Sequence, residues 1–135
     1  MITRHAGDRL RTSIDASGAP AAMGPYSHAV RHDRLLFCSG ALPLELATGE
    51  LVSPSLADQA TQCLRNLAAV CHAADTSLRR AVRTTIYTTD LSRFAEINDA
   101  YAAFFDDRPP ARVTVGVAAL PKGADVEIDA IVALS

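Results

Sequence analysis

Apolar residues recur at three- and four-residue steps in two stretches of this chain and on alternate positions in several others. From 56 to 74, Leu56, Ala60, Cys63, Leu64, Leu67, Val70, Cys71 and Ala74 form one stripe at helical spacing. Ser55 stands where an N-cap is needed, and Asp58 falls in the first turn, where the helix dipole favours negative charge. The pattern predicts an amphipathic helix that packs on a sheet or on a second helix. A second stripe, Phe94, Ile97, Tyr101, Phe104 and Phe105, follows Asp90 and Ser92, either of which can cap it. It must stop before Pro109-Pro110, because proline cannot continue a helix and disfavours helical geometry in the residue before it.

The strands come from the other period. "SHAVRHD" (27–33) and "RLLFCSGAL" (34–42) read as two strands joined by a tight turn at His32-Asp33. "AVRTTIYTT" (81–89) is rich in β-branched residues. Two final strands, roughly 112–119 and 125–133, are joined by "LPKGA", and a short strand falls near 11–14. "GAPAAMGPY" (18–26) is a lead-in loop, and "LATGE" (46–50) is a turn in which Gly49 can take a positive φ. The order β-β-α-β-α-β-β predicts an α+β domain: one mixed, antiparallel-rich sheet with both helices on one face. The other face, carrying Val113, Val115 and Val117 or their opposite set, is left bare, which predicts a homo-oligomer.

Composition narrows the class. Of 135 residues, 49% are hydrophobic and 21% charged, as in a globular chain with one core. The net charge is -2 and the pI about 6.0, which favours neither nucleic acid nor an acidic membrane surface. No apolar run approaches the ~20 residues of a membrane helix. The start of the chain, residues 1–11, is polar, lacks the apolar run of a secretory signal, and reads as an extension to a domain at 12–135. Cys63 and Cys71 lie eight apart on one helix face, ~12 Å at the helical rise, and cannot bridge. Three reduced thiols suit the cytoplasm. His28 and His32, four apart in a strand, stand ~13 Å from each other, too far for one metal ion. No phosphate or dinucleotide loop is present, and neither metal nor cofactor is expected.

Arg112 and Glu127 are the sharpest chemical signals, since charged residues in apolar strands are paired or functional. If the last two strands form a hairpin centred near Lys122, Arg112 pairs with Val132 and Glu127 with Val117. The two charges then lie ~17 Å apart on opposite faces, out of reach of one small molecule.

Four motifs carry a resemblance: "APAAMGPYSHAV" (19–30), "LLFCSGALPLELATGELV" (35–52), "DLSRFAEINDAYAAFF" (90–105) and "PARVTVGVAALPKGADVEIDAIV" (110–132). With these, the chain resembles the RidA/YjgF family of enamine/imine deaminases from about Ile14 onward. The resemblance implies a chorismate-mutase-like fold, a homotrimer with clefts between subunits, and hydrolysis of enamines such as 2-aminoacrylate to 2-keto acids and ammonia without a cofactor. It puts the carboxylate-binding arginine at Arg112, the acidic residue near the reacting water at Glu127, and other site residues at Tyr26, Ser39, Gly40 and Asn98. Thr114 stands in the site where many members carry cysteine. Ala41 and Gly116 also depart from common choices, and the three could suit a bulkier acid such as an aminomuconate-type enamine. The rival readings are a trimer that binds or senses a small acid without turnover, and a chorismate-mutase-type isomerase. The isomerase would need several cations for a dicarboxylate, and the motifs place only Arg112.

Overall fold

Eight elements occur in the expected order, in a computed structural model that describes residues 10–134. They are β1 (Thr12–Ile14), β2 (Ala29–His32), β3 (Leu35–Ala41), α1 (Leu56–Ala73), β4 (Ala81–Thr88), α2 (Phe94–Ala102), β5 (Ala111–Gly116) and β6 (Val126–Ala133). The strands make one sheet in the order β1-β2-β3-β6-β4-β5, antiparallel throughout except for β4 with β5. Of the expected N-terminal extension, residues 1–9 lie outside the described residues. No helix among the described residues is long and apolar enough to cross a membrane.

Ser55 caps α1, accepting from the Asp58 N–H at 3.2 Å, and the predicted stripe is buried. That stripe packs on β3 and β6 and against α2. Asp90, not Ser92, caps the entry to α2, through a single 3₁₀ turn at Leu91–Arg93. Phe105 lies beyond the helix end yet stays in the core, its ring centroid 4.7 Å from that of Tyr101. Leu64, Leu67, Ile86, Ile97 and Ile128 are fully buried between the helices and the sheet. Each such side chain contributes about 1.5–3 kcal/mol by leaving water.

The structure corrects two connections. The turn between β2 and β3 is Asp33-Arg34, because His32 pairs with Leu35 and Asp33 takes the left-handed φ of 54°. More consequentially, the last two strands are not a hairpin. β5 pairs with β4 in parallel, and β4 separates it from β6. The reason lies in length and exposure. β5 stops at Gly116, so the connection runs from 117 to 125 through a 3₁₀ turn at Pro121–Gly123, longer than the two to five residues usual in a hairpin loop. β6 buries every second residue and takes a central place, whereas β5 is exposed at all positions but Thr114 and takes the edge.

Both helices cover one sheet face. The other carries exposed Val113 and Val115, as expected, and also exposed Phe37 with Arg83, Tyr87, Glu127 and Asp129. It is therefore a mixed surface rather than a plain apolar patch.

Candidate functional site

The end of β3 is irregular, with a register shift between Cys38 and Ala41. There the Ser39 N–H donates to the His28 carbonyl at 2.9 Å, and the Ser39 hydroxyl donates to the Ser27 carbonyl at 2.6 Å. These bonds fasten the lead-in loop to the sheet and set Tyr26 at its rim, its ring exposed and its oxygen accepting from the Met23 N–H at 3.4 Å. Tyr26, Ser39 and Gly40 line one pocket together with His28, Ala41, Leu42 and Leu44. Asn66 of α1 closes its floor by donating to the Leu42 and Leu44 carbonyls, both at 3.0 Å.

Glu127 reaches the same corner from the helix-free face. A methyl group built on Gly40 would stand 2.9 Å from Glu127 Cδ and closer still to Oε2, so the carboxylate occupies the space a side chain at position 40 would need. Burial pushes the Glu127 carboxyl above the usual carboxylate range, and the charge of Asp129 adds to the shift. A carboxyl moved toward neutrality is suited both to take and to give a proton.

Arg112 is held elsewhere. Its Nη1 donates to Asn98 Oδ1 at 2.8 Å, and its guanidinium carbon lies 5.2 Å from the Phe94 ring centroid and 5.0 Å from that of Tyr101. Tyr101 is fixed in turn by a 2.7 Å bond between its hydroxyl and that of Thr84. Among the described residues no carboxylate pairs with Arg112. It thus presents most of a five-donor fork, steadied by two aromatic faces, to an incoming anion. Thr114 lies two residues on, on the same strand face and half-buried.

Register on β4 relates the two groups. Arg112 is beside Thr84 and Glu127 beside Tyr87. Two strand spacings and three residues separate them, ~14 Å between Cα atoms, and they point to opposite faces. The seven expected site residues therefore fall into two spatial groups. Asn98, Arg112 and Thr114 form one; Tyr26, Ser39, Gly40 and Glu127 form the other. The opposite faces agree with the sequence-based expectation, although that expectation rested on a strand pairing that does not occur.

Phe94 and Tyr101 read in sequence as plain core residues, and nothing local marks them as a rest for Arg112. Asp129 stands two residues from Glu127, and that period-two spacing is the one signal in the sequence that could have marked it as a neighbour of the carboxylate. Among the described residues no three His, Cys, Asp or Glu side chains come together as a ligand set for a metal.

Residues 16–134 match the family model described as Endoribonuclease L-PSP. The chain is 50% identical over 122 residues to the RutC family protein y4sK of Sinorhizobium fredii, covering 90% of this chain and 97% of that protein. It is 40% identical to the 2-iminobutanoate/2-iminopropanoate deaminase of Mus musculus, covering 90% of each. The crystal structure of E. coli TdcF with bound serine matches with a TM-score of 0.87 at 38% identity, covering 92% of this chain and 99% of that one.

Proposed function

This chain belongs to the Endoribonuclease L-PSP family, the RidA/YjgF group that its motifs resemble, and on that premise we propose that it hydrolyses small 2-imino acids and their enamine tautomers to 2-keto acids and ammonia. The observation that carries this reading is the pair of complementary half-sites: an anion-binding fork with no carboxylate of its own, and a half-buried carboxyl pressed on a glycine beside an open pocket. Neither suffices alone, and one chain cannot bring both to one small molecule. Three copies arranged head to tail around an axis, each lending Arg112 to the Gly40–Glu127 corner of the next, complete the site. The exposed face with Phe37, Val113 and Val115 is the surface such an assembly would cover.

In that cleft Arg112 grips the substrate carboxylate in two parallel hydrogen bonds, with Asn98 and the two rings setting its angle. An enamine takes a proton on carbon, gives one up from nitrogen, and becomes the imine. Water adds to the C=N carbon and gives a carbinolamine. Glu127 accepts a proton from the attacking water and returns one to nitrogen. The carbinolamine hydroxyl then gives its proton, through Glu127, to nitrogen, the C–N bond breaks, ammonia leaves, and the C=O of the keto acid forms. Proton handling of this kind contributes ~10²–10⁴-fold, and positioning adds to it. Tyr26 has its O–H free to donate at the pocket rim, because its oxygen only accepts from Met23. The Ser39 hydrogen is already given to Ser27, so Ser39 offers a ligand only lone pairs. Thr114 sits close enough to Arg112 to touch the substrate where a cysteine is common.

The pocket beside Gly40 is walled by Ala41, Leu42, Leu44 and Leu67, and among the described residues no Arg or Lys lines it. That suits an imine with a small apolar side chain and disfavours an aminomuconate-type dicarboxylate. A net charge of -2 argues against cleavage of RNA, despite the family description. Three free buried thiols accord with a cytoplasmic setting. A second reading, binding of a small acid without turnover, is favoured by the relative solved with serine.

One experiment separates the two. A serine dehydratase, which removes water from serine and sheds the enamine and 2-iminopropanoate, is coupled to this protein, and imine decay and ammonia are followed together. Acceleration of both is expected. Tight binding of pyruvate or serine with no acceleration would support the binding module instead.

A further inference from the structure

His28, set immediately before β2, has both ring nitrogens engaged by the backbone of the lead-in loop. The Ala16 N–H donates to Nδ1 at 2.8 Å, and Nε2 lies 2.8 Å from the Pro20 carbonyl. An amide N–H can only donate and a carbonyl can only accept. The ring must therefore carry its single proton on Nε2 and keep a lone pair on Nδ1. The backbone carbonyl of the same residue accepts from Ser39. One residue thus joins the two ends of the loop's first turn to the irregular end of β3. Its ring lines the pocket shared by Tyr26, Ser39 and Gly40, and its far side faces a shallow opening lined by Asp15, Ser17 and Leu46.

We propose that His28 is a positioning residue of the ligand pocket, a clamp that holds loop 16–26 in place only while its ring is neutral. Protonation would turn Nδ1 from an acceptor into a donor facing another donor, the Ala16 N–H. The bond must then break, and the loop that carries Tyr26 loses one of its fastenings. The groups that face the ring govern how the loop responds. From α1 come Asn66, Leu67 and Val70 and from β3 Ser39, none charged at ordinary pH. From the loop come Tyr26 and, on the far side, Asp15. Among the described residues Asp15 is the one anion lining either side, and it would steady the charged ring once the Ala16 bond has gone. Loss of the Ala16 bond on protonation of the ring would therefore loosen the pocket wall. Glu127 lies against Gly40 at the same corner, and His28→Gln, which keeps Glu127, separates its pH effect from that of the ring.

The test reads the ring directly. Nitrogen NMR of the imidazole, amide exchange at Ala16 corrected for its intrinsic pH dependence, and pyruvate affinity are followed from pH 8 to pH 5. Three proteins are compared: wild type, His28→Gln and His28→Ala. Glutamine keeps one acceptor and one donor but has no ring to protonate. The wild-type ring should be the Nε2–H tautomer at neutral pH. As it protonates, protection at Ala16 should fall about tenfold, the loss of one such hydrogen bond. Pyruvate affinity should weaken more steeply than in His28→Gln, and His28→Ala should be weak throughout. A neutral Nδ1–H tautomer, or a protonated ring with Ala16 still protected, would overturn the clamp. Parallel pH profiles for wild type and His28→Gln would remove its role in the ligand site. If His28→Gln does not fold, the wild-type ring and Ala16 measurements decide alone. If no form binds pyruvate, the pocket has been misassigned as the ligand site, while the ring measurements still judge the clamp.

Discussion

The carboxylate of Glu127 lies where the side chain of residue 40 would be, and only glycine at that position lets it do so. Gly40 is on β3 and Glu127 on β6, the strand beside it, so the contact crosses the sheet at the point where β3 shifts register. What a methyl group would displace is the end of a flexible side chain, not backbone. Gly40→Ala should therefore fold with little loss of stability but carry a misplaced carboxyl. Deaminase turnover should drop by about 10²-fold, the scale of an ångström-sized misplacement. Circular dichroism melts beside steady-state rates would check it. An active variant with a normal melt would mean that the contact has no part in catalysis.

Glu127 itself should behave as a group held at some cost to folding. Its folded-state pKa is raised above the ordinary value, with burial as the first cause. By linkage, its contribution to stability is fully present below the ordinary carboxyl range and is lost as pH rises through the higher folded value. Glu127→Gln removes that loss. The variant should melt higher than wild type at pH 8, and the difference should vanish toward pH 4. Its turnover should fall by ~10²–10⁴-fold with ligand binding retained. Because a neighbour's Arg112 would favour the charged form, the stabilisation should be larger in an Arg112→Ala background. A melting difference that does not change with pH would show that the site does not disfavour the charge.

Asn98 should act through Arg112. It accepts one hydrogen bond from the guanidinium, which also rests against Phe94 and Tyr101. Asn98→Ala leaves the cation and its stacking but frees its angle. The Michaelis constant should rise about tenfold, the scale of one hydrogen bond to a charged group, with turnover nearly unchanged. Asn98→Asp should tighten the arginine but offer the substrate carboxylate a competing anion, so it should bind more weakly still. If both variants show wild-type Michaelis constants, Arg112 does not need Asn98 to set its angle.

Local pattern made much of this fold legible. The α1 stripe from Leu56 to Ala74 has the helical period and a visible cap, and it is buried as its spacing requires. What pattern could not supply is the choice of strand partners. Val113 and Val115 look as apolar as Ile128 and Ile131, yet β5 is an edge and β6 is central. That difference depends on where the 117–125 connection crosses the sheet, a non-local matter. The same limit applies to the site. Period two alone put Arg112 and Glu127 on opposite faces once a register was assumed. The contact of Arg112 with Asn98 depends on α2 lying beside β5, which no spacing reveals. His28 offered only a four-residue interval to His32, a metal-ligand question. Its real partners are the backbone of Ala16 and Pro20, and backbone groups leave no mark in a sequence.

Subunit sharing has the sharpest test. Arg112 and Glu127 of one chain point to opposite faces of the sheet, ~14 Å apart by strand spacing, while a three-carbon imino acid spans only a few ångströms. A cleft that holds both must therefore take them from two chains. Arg112→Ala and Glu127→Ala trimers should each be inactive. Unfolded, mixed in equal amounts and refolded together, they form hybrids in which each cleft draws its arginine from one chain and its carboxylate from the next. An intact arginine has an even chance of arriving, and so has an intact glutamate. Random assortment in a head-to-tail ring should thus restore about one quarter of wild-type activity. Light scattering on the same samples should give three times the 14.3 kDa chain mass. Mixtures as inactive as either parent, from a procedure that refolds wild type well, would place both groups in one chain or take one of them out of the reaction.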